Sequence, residues 1–191
     1  GNTLTTGQRL RYEFWNKLVL HKIRDLIGMS NIRRATTGAA PISLDIIRWF
    51  HAIGVPIYEG YGMTESAGVI SVNTPQEQRP GSVGKALPDT EVRIADNGEI
   101  LVKGGNVFAG YWNKPEKTAE DLRDGWLHTG DVGELKEGYI FITGRIKDII
   151  ITAGGKNVTP AAIESKLKFS PYISDAVIIG DRRKYLSCLI M

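Results

Sequence analysis

The stretch "EGYGMTES", residues 59 to 66, decides how this sequence is read. Two glycines flank a tyrosine, and a threonine and a glutamate follow at once. One reading is a broken strand, because glycine takes backbone angles that other residues avoid. The other is a binding loop, in which the glycines let a flat ring approach the backbone while a hydroxyl and a carboxylate meet a phosphate and its metal. These eight residues alone do not choose between the two.

Working outward, "VPIYEGYG" reads as a strand that runs into this loop. Before it stands an amphipathic helix opened by Ser43 and closed by Gly54, with Ile46, Ile47, Phe50 and Ile53 facing inward. A short strand at 31 to 36 and the turn "TTGAAP" precede that helix. Strand, helix, strand in this order predicts a parallel α/β layer over residues 31 to about 73. Upstream, residues 9 to 28 predict a further helix, whose Leu10, Phe14, Leu18, Ile23, Leu26 and Ile27 form a packing face before Gly28 ends it.

After "NTPQEQRPGS" the period changes to two. "TEVRIA", "EILVKG" and "GYIFITG" are alternating strands, with "DNG" (96 to 98) and "KEG" (136 to 138) as hairpin turns. A small antiparallel, barrel-like unit is expected over residues 80 to 142, interrupted by one helix with Pro115 near its start. From Gly144 onward come "KDIIIT", the helix "PAAIESKLKF" and the strands "DAVIIG" and "LSCLIM". The expected fold class is thus α/β followed by α+β. From Gly144 onward the pattern reads as a second, α+β unit that looks unfinished.

Composition narrows the partners. Of 191 residues, 42% are hydrophobic and 24% charged, the balance of an ordinary globular protein. The net charge of +3 comes from 24 basic and 21 acidic residues dispersed along the chain, so no basic stripe marks a nucleic-acid surface. The single Cys188 excludes an internal disulfide, which fits a reducing compartment or equally a plain buried thiol. No run reaches the roughly 20 apolar residues of a membrane span, and "GNTLTTGQRL" lacks the regions of a signal peptide. The chain begins without Met and stops within an apolar run, which reads as a piece of a longer protein.

Three more motifs carry chemistry, each beside a plainer reading. "TGAAP" (37 to 41) has the plain reading of a strand-to-helix turn. "GWLHTGD" (125 to 131) ends in an aspartate that either closes a turn or accepts both hydroxyls of a ribose. "GRIKDIIITAGGKN" (144 to 157) puts Arg145 and Lys147 before a β-run and a double glycine, as a pair of surface charges would also do.

Taken in order and spacing, "TGAAPIS", "EGYGMTE", "RPGSVGKALPDTEVRI", "GEILVKGGNVFAGYWNKPEKT", "DGWLHTGD" and "GRIKDIIITAGGKNVTPAAIE" resemble the adenylate-forming superfamily, and within it the long-chain acyl-CoA synthetases. The resemblance covers the chain from about residue 31. It implies ATP-dependent activation of a fatty acid to an acyl-adenylate, then transfer to CoA, with Mg²⁺ as cofactor. It also implies roles. Gly38, Ala39 and Ala40 would line the nucleotide site, and Glu59, Gly60, Tyr61 and Gly62 would hold adenine, with Tyr61 against its face. Thr64 would contact the α-phosphate and Glu65 would ligate Mg²⁺. Asp131 would bind the ribose hydroxyls and Arg145 the ribose or phosphate. Lys147 matches the family's hinge, so residues 1–143 would be the end of a large domain, 144–148 the hinge and 149–191 the start of a small second domain, and Gly154 and Gly155 match the loop beside the thiol tunnel.

The resemblance has limits. The family's phosphate loop with its lysine, and the lysine that contacts the carboxylate during adenylation, have no counterpart in these residues. The isolated chain is therefore expected to be inactive. Some relatives carry a lysine where this chain has Ile151. An acceptor on a carrier protein instead of CoA, and a non-catalytic relative that binds nucleotide or acyl chains, are the competing readings. The expected location is cytoplasmic, with peripheral association of the parent at the inner face of a membrane left open, as is the oligomeric state.

Overall fold

The computed structural model describes residues 5–40 and 42–191, so residues 1–4 and Pro41 of the stretches quoted above lie outside the described residues. The chain divides into two compact units, one of residues 1–36 and 44–57, the other of residues 37–43 and 58–191.

In the first unit a capping box opens α1 (Thr6–Trp15): the Thr5 hydroxyl accepts from the Gln8 amide while the Gln8 side chain accepts from the Thr5 amide. A wider π-helical turn (Asn16–Leu20) leads into α2 (His21–Leu26), and Gly28, at φ +72°, follows the end of the run. The face expected to pack is instead exposed at Leu10, Phe14, Leu18, Leu26 and Ile27. Helical spacing reports that a stripe is apolar and says nothing about whether a partner covers it. The expected amphipathic helix is present as α3 (Leu44–Ala52): Ile47 is buried completely and Ile53 buried just after it, while Ile46 and Phe50 are half-buried. Gly54 then turns the chain at φ +86°, where a Cβ would lie 2.6 Å from the Tyr12 hydroxyl. Arg24 secures this corner by donating to the Ile53 carbonyl at 2.6 Å and to Asn16 at 2.8 Å.

The second unit holds two main sheets. The first runs β1 (Ala35–Thr37, contributing Thr37 to this unit), β2 (Ile57–Tyr61), β3 (Ser71–Val72) and β4 (Lys85–Ala86) in that order. The β2–β3 and β3–β4 pairs are antiparallel, so the expected α/β layer carries an antiparallel edge.

The second sheet is antiparallel throughout: β5 (Thr90–Ile94), β6 (Glu99–Gly104), β8 (Trp126–Lys136) and β7 (Leu122–Arg123), with β9 (Tyr139–Arg145) paired to β8. α4 (Pro115–Asp121), with proline in its first turn, leads straight into β7. The expected turns appear at Gly98 and at Glu137–Gly138, whose two left-handed residues suit a tight hairpin. Asp124–Gly125, also left-handed at both positions, makes a third such turn between β7 and β8. Tyr61, Ile70, Ile100, Val102, Leu127 and Ile140 form the buried core between the two sheets.

After β9 a 3₁₀ turn (Ile146–Asp148) leads into the hairpin β10 (Ile150–Ile151) and β11 (Asn157–Val158). Then come α5 (Pro160–Leu167) and the antiparallel pair β12 (Ala176–Ile179) and β13 (Ser187–Ile190). Cys188 is exposed, against the buried-thiol reading. Among the described residues no helix is long and apolar enough to cross a membrane.

Candidate functional site

Asp131 is the centre of the site. It lies inside β8, opposite Arg145 of β9, and not on a free turn as the Gly-Asp pair had suggested. Gly130, at φ +71°, breaks the regular pleat, and the register slips between Val132 and Gly133. A buried carboxylate, that of Glu99, fixes this irregularity: one oxygen accepts from the Gly130 amide at 3.0 Å and the other lies 2.9 Å from His128 Nδ1. The bulge aims Asp131 at two donors. The Tyr61 hydroxyl donates to Oδ2 at 2.6 Å and Arg145 Nε donates to Oδ1 at 2.7 Å.

Asp131 is only 6% exposed, so these bonds replace water around a buried charge. A carboxylate has about four acceptor directions, and two are filled. Among the described residues each oxygen accepts one bond, which leaves one acceptor direction on each, the number that a vicinal diol supplies. Burial, then the bond to Asp131, pushes the Tyr61 hydroxyl far up, so it stays a donor at any ordinary pH. Arg145's own hydrogen bond to Asp131, with the charge of that carboxylate, holds its guanidinium above its ordinary value.

Tyr61 differs from the expectation in one respect. Its ring belongs to the core at 8% exposure, so the residue anchors Asp131 as well as bordering the loop. Gly60 and Gly62 differ too, since neither has a positive φ. Their need for glycine is steric: a Cβ on Gly62 would lie 1.7 Å from the Gly68 carbonyl oxygen, and one on Gly60 would lie 3.3 Å from that of Ser71.

The loop after β2 tightens into a 3₁₀ turn (Thr64–Ser66) closed by Ala67 at φ +53°. Thr64 is exposed, and its hydroxyl has no hydrogen-bond partner among the described residues. Glu65 is tied down twice from one neighbouring loop: its carbonyl accepts from the Phe108 amide at 2.8 Å and its Oε1 from the Tyr111 hydroxyl at 2.6 Å. Tyr111 also contacts Asp121 Oδ2 at 2.9 Å, and Lys117 Nζ donates to Asp121 Oδ1 at 2.9 Å. Burial would raise the Asp121 carboxyl, but the bond from Lys117, with the charges of Lys117 and Lys147, holds it below its ordinary value.

Glu65 Oε2 accepts no hydrogen bond among the described residues. A single hard carboxylate oxygen suits Mg²⁺, which in nucleotide sites takes one or two carboxylates and completes its shell from phosphates and water. The residues therefore fit that ion.

The remaining expected positions fall as follows. Gly38, Ala39 and Ala40 are exposed, and Gly38 lies against β2, where a Cβ would stand 3.0 Å from the Gly60 carbonyl oxygen. Ala39 is left-handed at φ +66°, a conformation that costs a non-glycine residue energy. Glu59 turns its carboxylate to the Gly81 amide at 2.8 Å, and burial raises its pKa against that bond. Its carbonyl accepts from the Asn73 amide at 2.8 Å and from Asn73 Nδ2 at 3.3 Å. Lys147 sits exposed in the 3₁₀ turn after β9. Gly154 and Gly155 are exposed at the tip of the β10–β11 hairpin, with open space around them. No bond joins them to the Asp131 or Glu65 groups.

Sequence reasoning passed over Tyr111, Asp121, Thr129 and Glu99. Thr129 accepts the Asp131 amide at 3.1 Å and donates to the Ile100 carbonyl at 2.8 Å. For Tyr111 a signal was present in the Gly110–Tyr111 pair and the threonine seven residues on, which build its seat together.

Comparison with known proteins gives this geometry a family. The model of the AMP-binding enzyme matches residues 10–112, and that of the AMP-binding enzyme C-terminal domain matches residues 147–191. The chain belongs to the AMP-binding enzyme family. It is 43% identical over 183 residues to the long-chain-fatty-acid–CoA ligase FadD15 of Mycobacterium tuberculosis, covering 95% of this chain and 30% of that protein. It is 42% identical to the long-chain-fatty-acid–CoA ligase ACSBG2 of Xenopus laevis, covering 97% of this chain and 26% of that one. The chain thus spans about a third or less of these curated relatives. Among solved structures, the O-succinylbenzoate coenzyme A synthetase of Bacillus subtilis in complex with ATP and magnesium ion superimposes with a TM-score of 0.74 at 29% identity. That match covers 91% of this chain and 40% of that one. The anthranilate CoA ligase AuaEII in complex with anthranoyl-AMP gives a TM-score of 0.74 at 28% identity, covering 85% and 34%.

Proposed function

We propose that this chain carries part of the nucleotide site of an ATP-dependent, AMP-forming ligase that activates a long-chain fatty acid and passes it to CoA. The observation that carries this is the Tyr61–Asp131–Arg145 group: a buried carboxylate, held by two donors, with one acceptor direction left on each oxygen. The curated relatives support the fatty acid and CoA, since their names state that reaction.

The chemistry asks for what these residues offer. Joining a carboxylate to ATP brings two anions together, so charge on the phosphate must be offset before the acid's oxygen attacks phosphorus. Asp131 receives the ribose hydroxyls and Arg145, fixed beside it, directs its outer nitrogens to ribose or phosphate. Thr64 donates its unpartnered hydroxyl to the α-phosphate. Mg²⁺ held at Glu65 would supply the positive charge that offsets the phosphate oxygens. Gly38, Ala39, Ala40 and the edge of β2 border the base, and fixing base and ribose sets the line of attack. Pyrophosphate leaves as the acyl-adenylate forms, and the thiol then attacks the acyl carbon and releases AMP. Lys147 serves as the hinge between the two half-reactions, and the small Gly154 and Gly155 let the thiol arm pass.

AMP release by the full-length protein, given ATP, Mg²⁺ and fatty acids from short to long, tests this with and without CoA. Release that needs CoA and peaks at long chains supports the proposal. Release indifferent to CoA moves the acceptor to a carrier-protein thiol, and silence across the panel overturns the enzymatic reading.

A further inference from the structure

The mechanism above leaves one hydroxyl unused. Tyr111 lies 46 residues from Glu65 in sequence, yet its hydroxyl meets Glu65 Oε1 at 2.6 Å and Asp121 Oδ2 at 2.9 Å. Its seat is built with some care. The Tyr111 amide donates to Thr118 Oγ1 at 2.9 Å, and that hydroxyl in turn donates to the Lys114 carbonyl. Gly110, at φ +143°, leaves the space, since a Cβ there would fall 2.6 Å from Thr118 Cγ2. The Phe108 ring meets the tyrosine edge to face at 4.8 Å, and the Phe108 amide holds the Glu65 carbonyl. Backbone and side chain of Glu65 are therefore gripped by one short loop.

We propose that Tyr111 is the positioning residue of Glu65, holding Oε1 so that Oε2 faces the metal and the phosphates. This rests on the reading of Glu65 as a metal ligand. A phenol has one proton to donate, and both neighbours are carboxylates, so the hydroxyl can serve only one of them at a time. Glu65 Oε1 is the nearer acceptor, at 2.6 Å against 2.9 Å, and Lys117 gives Asp121 a donor of its own on its far oxygen, so the phenolic proton is assigned to Glu65. A carboxylate with one oxygen tethered presents a metal with one fixed ligand atom instead of a rotating pair, which is how outer partners commonly tune a metal site.

The test measures ATP affinity of the full-length protein by calorimetry, with no fatty acid present, in Mg²⁺ and in EDTA. The ratio of the two affinities is the coupling between metal and nucleotide. In Tyr111→Phe we expect that ratio to fall by roughly tenfold or more, the usual cost of losing a ligand's outer partner. Affinity in EDTA should stay at the wild-type value, which a general structural defect would not allow. A Tyr111→Phe ratio equal to wild type overturns the proposal, as does an equal loss of affinity in both buffers. Absence of coupling in the wild type instead removes Glu65 as a metal ligand, and this inference with it. Should Tyr111→Phe not fold, Asp121→Asn decides: it leaves the Tyr111 proton to Glu65, so the ratio must be kept, and a tenfold fall contradicts the assignment.

Discussion

Replacing Gly62 by alanine should damage the loop that carries Thr64 and Glu65 without touching either side chain. The new Cβ would lie 1.7 Å from the Gly68 carbonyl oxygen, 2.6 Å from its carbon and 2.8 Å from Val69 Cα. All three are backbone atoms, so no rotamer change can relieve the clash, and the returning chain must move by well over an ångström. That movement works against the hydrogen bonds from the Gly68 amide to the Met63 carbonyl at 3.0 Å and from the Ile70 amide to the Tyr61 carbonyl at 2.8 Å. Overpacking of this kind typically costs about 1–3 kcal/mol, and a backbone clash belongs at the upper end. About 3 kcal/mol of local destabilisation corresponds to exchange of the Ile70 amide with solvent faster by on the order of a hundredfold. Hydrogen exchange with mass spectrometry on peptides covering residues 61–73 of the full-length protein reads this directly. Gly154→Ala is the control, since nothing lies within 4 Å of its Cβ position and its φ is ordinary. Gly60→Ala, with its nearest contact at 3.3 Å, should fall between the two. Unchanged exchange across residues 61–73 in Gly62→Ala would refute the steric argument.

Three further outcomes follow from the same geometry. Tyr61→Phe removes one of the two donors that hold the buried Asp131, a bond to a charged group worth about 1.5–3 kcal/mol, so the KM for ATP should rise about tenfold or more; steady-state kinetics at saturating fatty acid checks it. Ala39→Gly relieves a left-handed alanine at φ +66° and should stabilise the protein by about 1 kcal/mol in urea unfolding. Glu59 carries a folded-state pKa raised above 4.5, so its contribution is most favourable below that value and is lost as pH rises through the folded pKa. Glu59→Gln keeps an acceptor for the Gly81 amide and should therefore be more stable than wild type at neutral pH. That advantage should shrink as pH falls toward 4.5, which paired melting curves across the range would show.

Much of this architecture was legible because short-range chemistry specified it. "DNG" and "KEG" carry residues that tolerate left-handed turns, and the period-two strands around them pair as their patterns require. Asp131 and Arg145, far apart as motifs, meet because β8 and β9 are joined by that tight hairpin, and the register then follows from the turn. What escaped was nonlocal. The reason for Gly62 lies in a backbone six residues away that folds over it, which no local rule for glycine angles reveals. The bulge at Gly130 and its Glu99 clamp depend on the β6–β8 pairing, so "HTGD" looked like a turn when it lies within a strand. The Tyr111–Glu65 contact spans two loops with no shared periodicity. The exposed stripe of α1 and α2 shows the converse limit, since an apolar pattern marks a face without naming its cover.

The most direct test of the nucleotide site is exchange of labelled pyrophosphate into ATP, driven by a long-chain fatty acid without CoA, in the full-length protein and its Asp131→Asn variant. The amide keeps the shape of the carboxylate and removes the charge that Arg145 and the ribose hydroxyls require. Two charge-assisted bonds to the ribose are worth about 3 kcal/mol together, so exchange should fall by on the order of a hundredfold while the circular dichroism spectrum stays unchanged. Exchange in Asp131→Asn equal to that of the wild type would contradict the assignment of this buried carboxylate as the ribose seat.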